Sequence, residues 1–333
     1  MKKYKNQSKI ENRKSKITYI FLYLLIAVFV ITGNGFSQAE GQRIKAIHIL
    51  DITGEDSRRL YRPARLFVSG NYNNDVYVIQ KGYIYIFSNK GILLSDIKTT
   101  NKTSAGESVV NSRGLIYIIK ITPPLIRIFN PWGTYKGNMN IRGLEKLSLP
   151  GDYHTGKGIT PSRLSIDRND NLYILDSATG FYFVTNPDGE IILYAGGYGK
   201  EKGKFIKPVD IAVSFDGNRI AVADFYAGRI NLFNNNGQFI RSIGIPGGSR
   251  GEFSQLVSVA IDSKYNIYGL DRNRHSVLIF SEKGEFMGEF GGLGTGKGWF
   301  RYPNDIHIDS KDMIYIADTL NNRIQVLKVK IGK

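Results

Sequence analysis

Residues 300–329, FRYPNDIHIDSKDMIYIADTLNNRIQVLKV, contain three short strand-like runs separated by turn residues. The runs are Asp305–Ile308, Met313–Ala317 and Arg323–Val329, and each alternates or stays apolar over a few residues. Ser, Lys, Asp and Asn fill the gaps between them, as tight turns require. One such unit leaves an apolar face uncovered, so the stretch predicts a fold in which the unit is repeated.

The same unit recurs along most of the chain. Full copies occupy 159–197, 205–244 and 253–291, and weaker copies lie near 63–97 and 105–139. Equivalent positions, spaced by 47 or 48 residues, are occupied by Pro161, Pro208, Leu256 and Pro303. Two series of aspartates follow the first and second strands: Asp167, Asp216, Asp262 and Asp309, then Asp176, Asp224, Asp271 and Asp318. This period, with four strands per unit, is typical of propeller blades and predicts six of them.

The fourth strand of the last blade is missing from the last copy. The other full copies have one, such as Glu285–Phe290, whereas the strand-like segment Arg43–Ile52 lies upstream of the first copy without a blade of its own. We therefore expect this segment to supply the outer strand of the last blade and to cover an open sheet edge. The predicted fold class is all-β, a six-bladed propeller of four-stranded blades closed by an N-terminal strand.

A longer motif runs through the later blades. It reads P-x-D-I-A-V-x-x-D, then I-x-V-x-D-x-x-x-x-R-I-x-x-F and G-x-F, and it is best kept at 208–230 and 303–326, which contain Arg229 and Arg323. With its Gly-rich lead-in, G-x-x-G-x-F, the motif resembles the NHL-repeat family of six-bladed β-propellers. Ser276 and Phe181 replace the arginine in two other blades, and the first two blades keep only spacing and strand pattern. The resemblance implies the fold and no particular activity, because propellers host many unrelated functions.

The N-terminal residues read as a targeting segment. Residues 1–16 carry seven Lys or Arg and one Glu, residues 17–32 are almost wholly apolar, and small side chains follow at Gly35 and Ser37. This order is typical of a secretory signal and predicts cleavage before Gln38. The alternative is an uncleaved membrane anchor, although the apolar run is shorter than the roughly 20 residues that span a bilayer. We expect residues 1–37 to be a signal peptide or anchor, and residues 38–333 to be a periplasmic or extracellular propeller.

Composition narrows the classes of partner and cofactor. The chain contains no cysteine, which excludes disulfides, thiolate metal sites and covalent haem attachment. Its net charge is +16, and beyond residue 16 there remain 38 Lys and Arg against 28 Asp and Glu. A basic domain attracts polyanions. Because export is predicted, we expect anionic envelope polymers or acidic proteins as partners and do not expect nucleic acid.

Two motifs imitate ligand sites without completing them. Residues 291–298, GGLGTGKG, approach a phosphate-binding loop, but Gly298 replaces the Ser or Thr and a strand rather than a helix follows. Equivalent Gly-rich segments precede two other blades, so we interpret all three as blade connectors. Asp167 opens a sequence like a calcium loop, but Ala178 stands where the bidentate Glu is required.

The enzyme alternative rests on the central channel. The resemblance to metal-dependent lyases and lactonases built on six-bladed propellers implies metal ligands or a general base at the channel mouth. His307 is the one candidate, because its equivalents in other blades are Ser165, Ala212 and Ala260. A ring of metal ligands is therefore not expected. A divalent metal belongs only to this alternative, and otherwise we expect no cofactor and no catalytic residue.

The connectors between blades and the loops between second and third strands should emerge on one face. Aromatic and arginine residues concentrate there, a composition that favours recognition. The candidate binding residues are Tyr198, Phe225, Tyr226, Arg250, Arg272, Arg274, Trp299, Arg301 and Tyr302. We expect an exported, non-catalytic binding module or scaffold that recognises another exported or envelope protein. The second alternative is attachment to anionic envelope polymers, with membrane contact only through an uncleaved N-terminal segment.

Overall fold

The computed structural model describes residues 44–70, 72–80, 82–99, 105–147, 149 and 158–332. Within these ranges, the strands form six four-stranded antiparallel sheets and one two-stranded parallel ribbon. The sheets are the blades of a propeller, so the predicted all-β, six-bladed fold is confirmed. The predicted signal peptide or anchor lies outside the described residues.

The first strand in the chain, β1 (Ile44–Ile52), belongs to the last blade, and blade 1 begins after it. Blade 1 consists of β2 (Arg65–Val68), β3 (Val76–Gln80), β4 (Tyr83–Phe87) and β5 (Leu93–Lys98). Blade 2 consists of β6 (Ala105–Val110), β7 (Ile116–Lys120), β8 (Leu125–Phe129) and β9 (Tyr135–Asn138). Blade 3 consists of β10 (Arg163–Ile166), β11 (Leu172–Asp176), β12 (Phe181–Thr185) and β13 (Ile191–Gly196).

The later blades follow the same order, with the parallel ribbon between blades 4 and 5. Blade 4 consists of β14 (Pro208–Val213), β15 (Arg219–Asp224), β16 (Arg229–Asn234) and β17 (Phe239–Ile243). The ribbon pairs β18 (Ile245–Pro246) with β19 (Glu252–Phe253). Blade 5 consists of β20 (Leu256–Ile261), β21 (Ile267–Asp271), β22 (Ser276–Phe280) and β23 (Phe286–Gly291). Blade 6 combines β24 (Asp305–Ile308), β25 (Met313–Asp318) and β26 (Arg323–Ile331) with β1.

Short 3-10 turns cover Asp56–Arg58, Leu144–Lys146 and Thr319–Asn321. In the part of the chain that the structure describes, no helix has the length and apolar character needed to cross a membrane.

The ring closes as the sequence predicts. The sheet order in blade 6 is β1-β26-β25-β24, and the antiparallel register runs from Ile44 opposite Ile331 to Ile52 opposite Ile324. An ion pair reinforces the junction, because Nη1 of Arg323 lies 3.1 Å from Oδ2 of Asp51. The outer strand of the last blade therefore comes from the start of the propeller.

The core lies between neighbouring blades. The first strands of adjacent blades contact one another around the channel, and apolar clusters fill the wedge-shaped spaces outside them. One cluster joins Phe205 and Phe233 in the space between blades 3 and 4, and another places Phe300 between blades 5 and 6. Burying these faces is the main favourable contribution to folding in a chain without disulfides.

The first series of aspartates organises the turn between the first two strands. Oδ1 of Asp167 accepts hydrogen bonds from the N–H groups of Asn169 and Asn171, and Asp262 and Asp309 repeat this pattern. The assignment of Asp216 to this series was wrong. The turn of blade 4 is one residue longer, and the hydroxyl of Ser214 accepts the equivalent hydrogen bond.

Candidate functional site

The two faces of the propeller carry different segments. We call the side formed by the blade-to-blade segments and the loops between second and third strands the connector face. Because every blade is antiparallel, these segments emerge together, and the remaining turns form the opposite face. The predicted binding residues all lie on segments of the connector face.

Three consecutive connectors share one design. Each contains a short parallel pairing with a phenylalanine: Tyr198 with Phe205, Pro246 with Phe253, and Leu293 with Phe300. In each, a phenylalanine is buried, at Phe205, Phe253 or Phe300. Each also exposes an apolar or aromatic side chain at or next to this pairing, and the exposed fractions are 53% for Tyr198, 58% for Ile245 and 63% for Leu293. Ile245 and Leu293 were not among the predicted binding residues, although the repeated Gly-rich lead-in marks their positions.

Glycine permits the tight approach in these connectors. Gly291 has a φ of +109°, and a Cβ there would lie 2.8 Å from the ring of Phe300. Gly292 has a φ of +136° and lies beneath the indole of Trp299, where a Cβ would come within 2.6 Å. The connectors are therefore closely packed supports for the side chains that they expose.

The second series of aspartates fastens each connector to its blade. Asp224 accepts the N–H groups of Ile206 and Lys207, and Asp271 does the same for Ser254 and Gln255. Asp318 accepts the N–H of Arg301 at 2.7 Å. These buried carboxylates hold the base of the connector face in place.

Most of the predicted binding residues are accessible. Those with exposed side chains are Tyr198, Tyr226, Arg250, Trp299, Arg301 and Tyr302. Phe225 is half-buried and packs edge-on against Tyr226 at 5.2 Å. Lys207 Nζ lies 4.7 Å from the ring centroid of Tyr226, which places a cation beside the aromatic pair.

Arg272 and Arg274 are both half-buried but differ in their contacts. The guanidinium of Arg274 donates to the carbonyls of Gly248 and Ser249 and to Glu289. It therefore fastens a connector. The guanidinium of Arg272 donates to no residue that the structure describes, and burial together with the charge of Arg65 lowers its pKa.

The connector end of the channel holds a ring of polar side chains that sequence reasoning missed. One residue from the first strand of each blade contributes, and we call the set the polar ring: Arg65, Glu107, Arg163, Asp210, Ser258 and Asp305. In four of these blades the ring residue stands two positions after the aligned Pro161, Pro208, Leu256 or Pro303. This two-residue spacing is the feature of the sequence from which the polar ring could have been predicted.

Contacts run around the polar ring from blade to blade. Nη1 of Arg65 lies 3.2 Å from Oδ1 of Asp305. The hydroxyl oxygen of Ser258 lies between two carboxylates, 2.9 Å from Oδ1 of Asp305 and 2.6 Å from Oδ2 of Asp210, and has one proton to donate. Nε of Arg163 lies 3.8 Å from Asp210 and 3.7 Å from Glu107. Burial raises the pKa of Glu107 to about 8, although the guanidinium of Arg163 opposes the shift.

His307 lies further down the channel, next to the polar ring. Its imidazole packs edge-on against Phe67 at 4.9 Å, and burial lowers its pKa to about 4, which favours the neutral ring. Ser165 and Ala212 line the same cavity, as expected from their equivalent positions. Among the described residues, no group of three or more His, Asp and Glu side chains is arranged to hold a metal ion.

The opposite end of the channel is narrowed by an aromatic side chain. Phe215 extends from blade 4 towards blade 1, and a Cβ on Gly70 would lie 3.4 Å from its ring. The opposite face also exposes Trp132, with 85% of its surface accessible, on the turn between β8 and β9. Exposed aromatic residues are therefore not confined to the connector face.

Known proteins resemble this chain in fold. A family model described as a 6-bladed beta-propeller matches residues 213–272 and 263–328. A solved structure of a protein of unknown function from Bacteroides thetaiotaomicron is 15% identical, with a TM-score of 0.60, over 87% of this chain and 76% of that chain. The structure of a streptogramin B lyase is 12% identical, with a TM-score of 0.54, over 87% of this chain and 98% of that chain. No curated protein matches the chain.

At these identities the likeness establishes the six-bladed propeller and carries no activity with it. The narrower resemblance to NHL repeats remains a prediction.

Proposed function

We propose that this protein is an exported, non-catalytic binding module that recognises a partner protein through its connector face. The observation that carries the proposal is that three equivalent connectors each expose an apolar or aromatic side chain at or next to their parallel pairing, at Tyr198, Ile245 and Leu293. Export rests on the signal-like order of residues 1–37.

The composition of this face favours a protein partner with acidic groups. Exposed cations stand among the aromatic residues, at Lys200, Lys202, Arg250, Lys297 and Arg301. Aromatic and arginine side chains contribute a large share of the binding energy in protein interfaces, especially where the supporting backbone is already ordered. Trp299 and Tyr302 are both exposed aromatic residues, and both lie on a connector that hydrogen bonds hold in place.

The test compares the two faces of the molecule. Residues 38–333 are immobilised and used to capture partners from the exported fraction of the native cell. We expect Trp299→Ala and Tyr226→Ala each to weaken the capture of a specific protein at least tenfold. Trp132→Ala is the matched control, because it removes an exposed aromatic residue from the opposite face. Equal loss with Trp132→Ala, or unchanged capture with both connector-face variants, would contradict the proposal.

Two further measurements separate the alternatives. Attachment to anionic envelope polymers would weaken steeply with added salt, whereas a largely apolar protein interface would change little. The metal-dependent lyase or lactonase alternative requires a stoichiometric divalent ion in protein purified without chelators, which elemental mass spectrometry measures. A bound ion whose retention depends on His307 would favour catalysis over binding alone.

A further inference from the structure

The connector that leads into blade 6 is fastened differently from the two before it. In the connectors into blades 4 and 5, the aspartate of the receiving blade accepts the N–H groups of both residues that precede the aligned proline or leucine. In the connector into blade 6, Asp318 accepts the first of these N–H groups, from Arg301. The second belongs to Tyr302 and donates to Nδ1 of His275, 3.0 Å away on the preceding blade. One of the two fastenings is therefore a side chain that titrates near neutral pH.

The position of His275 requires a left-handed backbone. It is the residue directly before the third strand of its blade, and its equivalents are Gly180, Gly228 and Asn322. All four have a positive φ, which is +55° at His275. Glycine adopts this region freely, whereas a residue with a Cβ does so less readily. A glycine would suit the backbone here, but it could not make the contact with the next connector.

The next blade makes the same contact with an asparagine. Oδ1 of Asn322 accepts the N–H of Arg62 at 2.9 Å. Arg62 is equivalent to Tyr302, since each precedes a proline and has a positive φ, of +52° and +49° respectively. The bridge between blades is thus a repeated feature with two kinds of acceptor, an amide that does not titrate and an imidazole that does.

The hydrogen bond to Tyr302 defines the state of the imidazole. A backbone N–H can only donate, so Nδ1 of His275 carries no proton while it accepts this bond. Protonation of the ring places an N–H on both nitrogens, and two donors then face each other. The ring of Tyr302 also packs edge-on against the imidazole, with 4.7 Å between the ring centroids. A change in the imidazole therefore acts directly on Tyr302.

The surroundings of His275 favour the neutral ring at pH 7. Burial lowers its pKa below 6.5, although the carboxylates of Asp271 and Asp318 oppose the shift. The other charged or titratable residues next to it in its loop and in the connector are Arg272, Arg274, Arg301 and Tyr302. Because the pKa is lower in the folded chain than in the unfolded chain, the neutral ring contributes stability above pH 6.5. This contribution is lost as pH falls from 6.5 through the folded pKa.

We propose that His275 is an acid-sensitive switch for the connector face. At neutral pH its ring holds the backbone of Tyr302 in place, and protonation releases that backbone from blade 5. The same connector carries Trp299 and Arg301, so the release disturbs the surface that we propose for recognition. The regulatory role rests on the proposed function, whereas the switch itself requires no partner.

The switch is tested first on residues 38–333 without a partner. Tyrosine is labelled with 15N, and the backbone signal of Tyr302 is assigned by its loss in Tyr302→Phe. We expect this signal to shift between pH 7.5 and pH 5 with the pKa of His275, and to stay in place in His275→Asn. Asparagine preserves the acceptor without titrating, as Asn322 does at the equivalent position. A signal that is independent of pH in the wild type, or that shifts equally in His275→Asn, would overturn the proposal.

Thermal unfolding supplies a second readout that requires no assignment of signals. Between pH 7.5 and pH 5, the melting temperature of the wild type should fall by at least about 2 °C more than that of His275→Asn. The comparison of the two proteins cancels the contribution of every other group that titrates in this range. Parallel curves would contradict the role given to His275.

Capture of the partner then connects the switch with recognition. The amount captured at pH 5, divided by the amount captured at pH 7.5, should be at least about fivefold lower for the wild type than for His275→Asn. An equal ratio in the two proteins would show that His275 does not regulate recognition. If neither protein captures a partner at either pH while the Tyr302 signal titrates, the proposed function is wrong and the switch is supported.

Discussion

At the scale of single residues, Asp318 shows how a repeated side chain holds the fold together. Its carboxylate is fully buried and accepts hydrogen bonds from the N–H of Arg301, from Nε of Arg323 and from Nε2 of Gln325. It thereby links a connector to β26, the strand that pairs with β1. The aspartate that recurs at this position of the repeat is therefore a structural acceptor.

Replacement of Asp318 by Asn should be strongly destabilising. The substitution keeps the shape but leaves the buried guanidinium of Arg323 without its closest counter-charge, which typically costs about 3–5 kcal/mol. Chemical denaturation of residues 38–333 measures the loss. Asp188→Asn, in an exposed turn, should change the free energy of unfolding by less than about 0.5 kcal/mol. Similar values for the two variants would refute the role given to Asp318.

Sequence reasoning found the aspartates but not the polar ring, for a physical reason. The aspartates perform the same task in each blade, so the same residue type recurs. The ring residues instead complement their neighbours: Arg163 faces Glu107 and Asp210, and Ser258 bridges Asp210 and Asp305. Because neighbouring ring residues must complement one another, the residue type differs from blade to blade. A search for identical residues at equivalent positions therefore does not find the polar ring.

At the scale of elements, each Gly-rich connector separates anchoring from presentation. In the connector that leads to blade 6, Phe300 is fully buried, whereas 51% of Trp299 is exposed. The two neighbours point to opposite sides of the same backbone. Phe300 packs between the blades, and Trp299 belongs to the surface that we propose for recognition.

Substitution of these neighbours should separate the two roles. Phe300→Ala removes a fully buried ring between blades 5 and 6 and should cost about 3–5 kcal/mol. Trp299→Ala, next to it in the chain, should cost less than about 1 kcal/mol. Urea unfolding of both variants decides the point. A larger loss for Trp299→Ala would show that the indole packs more than it presents.

Strand positions were largely predictable, and the exact turns were not. The predicted Arg43–Ile52 and Glu285–Phe290 correspond to Ile44–Ile52 and Phe286–Gly291, because alternation of apolar residues reports directly on burial. The turn of blade 4 differed because Ser214 and Asp216 both fit a turn chemically. The register of β14 and β15 decides whether Ser214 or Asp216 accepts the hydrogen bond that closes the turn.

At the scale of the whole molecule, the antiparallel order of the blades allowed the connector face to be predicted. The opposite face was less predictable, since Trp132 lies in blade 2, where the repeat is weak. The polar ring forms only when all six blades surround one channel, because each blade supplies one of its residues. The sequence of a single repeat therefore does not predict it.

Ring closure predicts a sharp dependence on β1. A chain that starts at Thr53 should lose much of its free energy of unfolding, typically about 5–15 kcal/mol for a domain, because β26 then presents an open edge. A chain that starts at Gln42 retains β1 and is the control. Urea unfolding and size-exclusion chromatography compare the two. If the two chains had the same free energy of unfolding and both eluted without aggregates, β1 would be dispensable.

The pairing of β1 with β26 also constrains the timing of biogenesis. β1 is synthesised before every blade, but its partner emerges only after all the others, and ribosomes add about 5–20 residues per second. For many seconds β1 has no native neighbour to pair with. If the chain is exported unfolded through a narrow channel, this delay is useful. A propeller that cannot close before its last strand is made stays unfolded enough to pass through the channel.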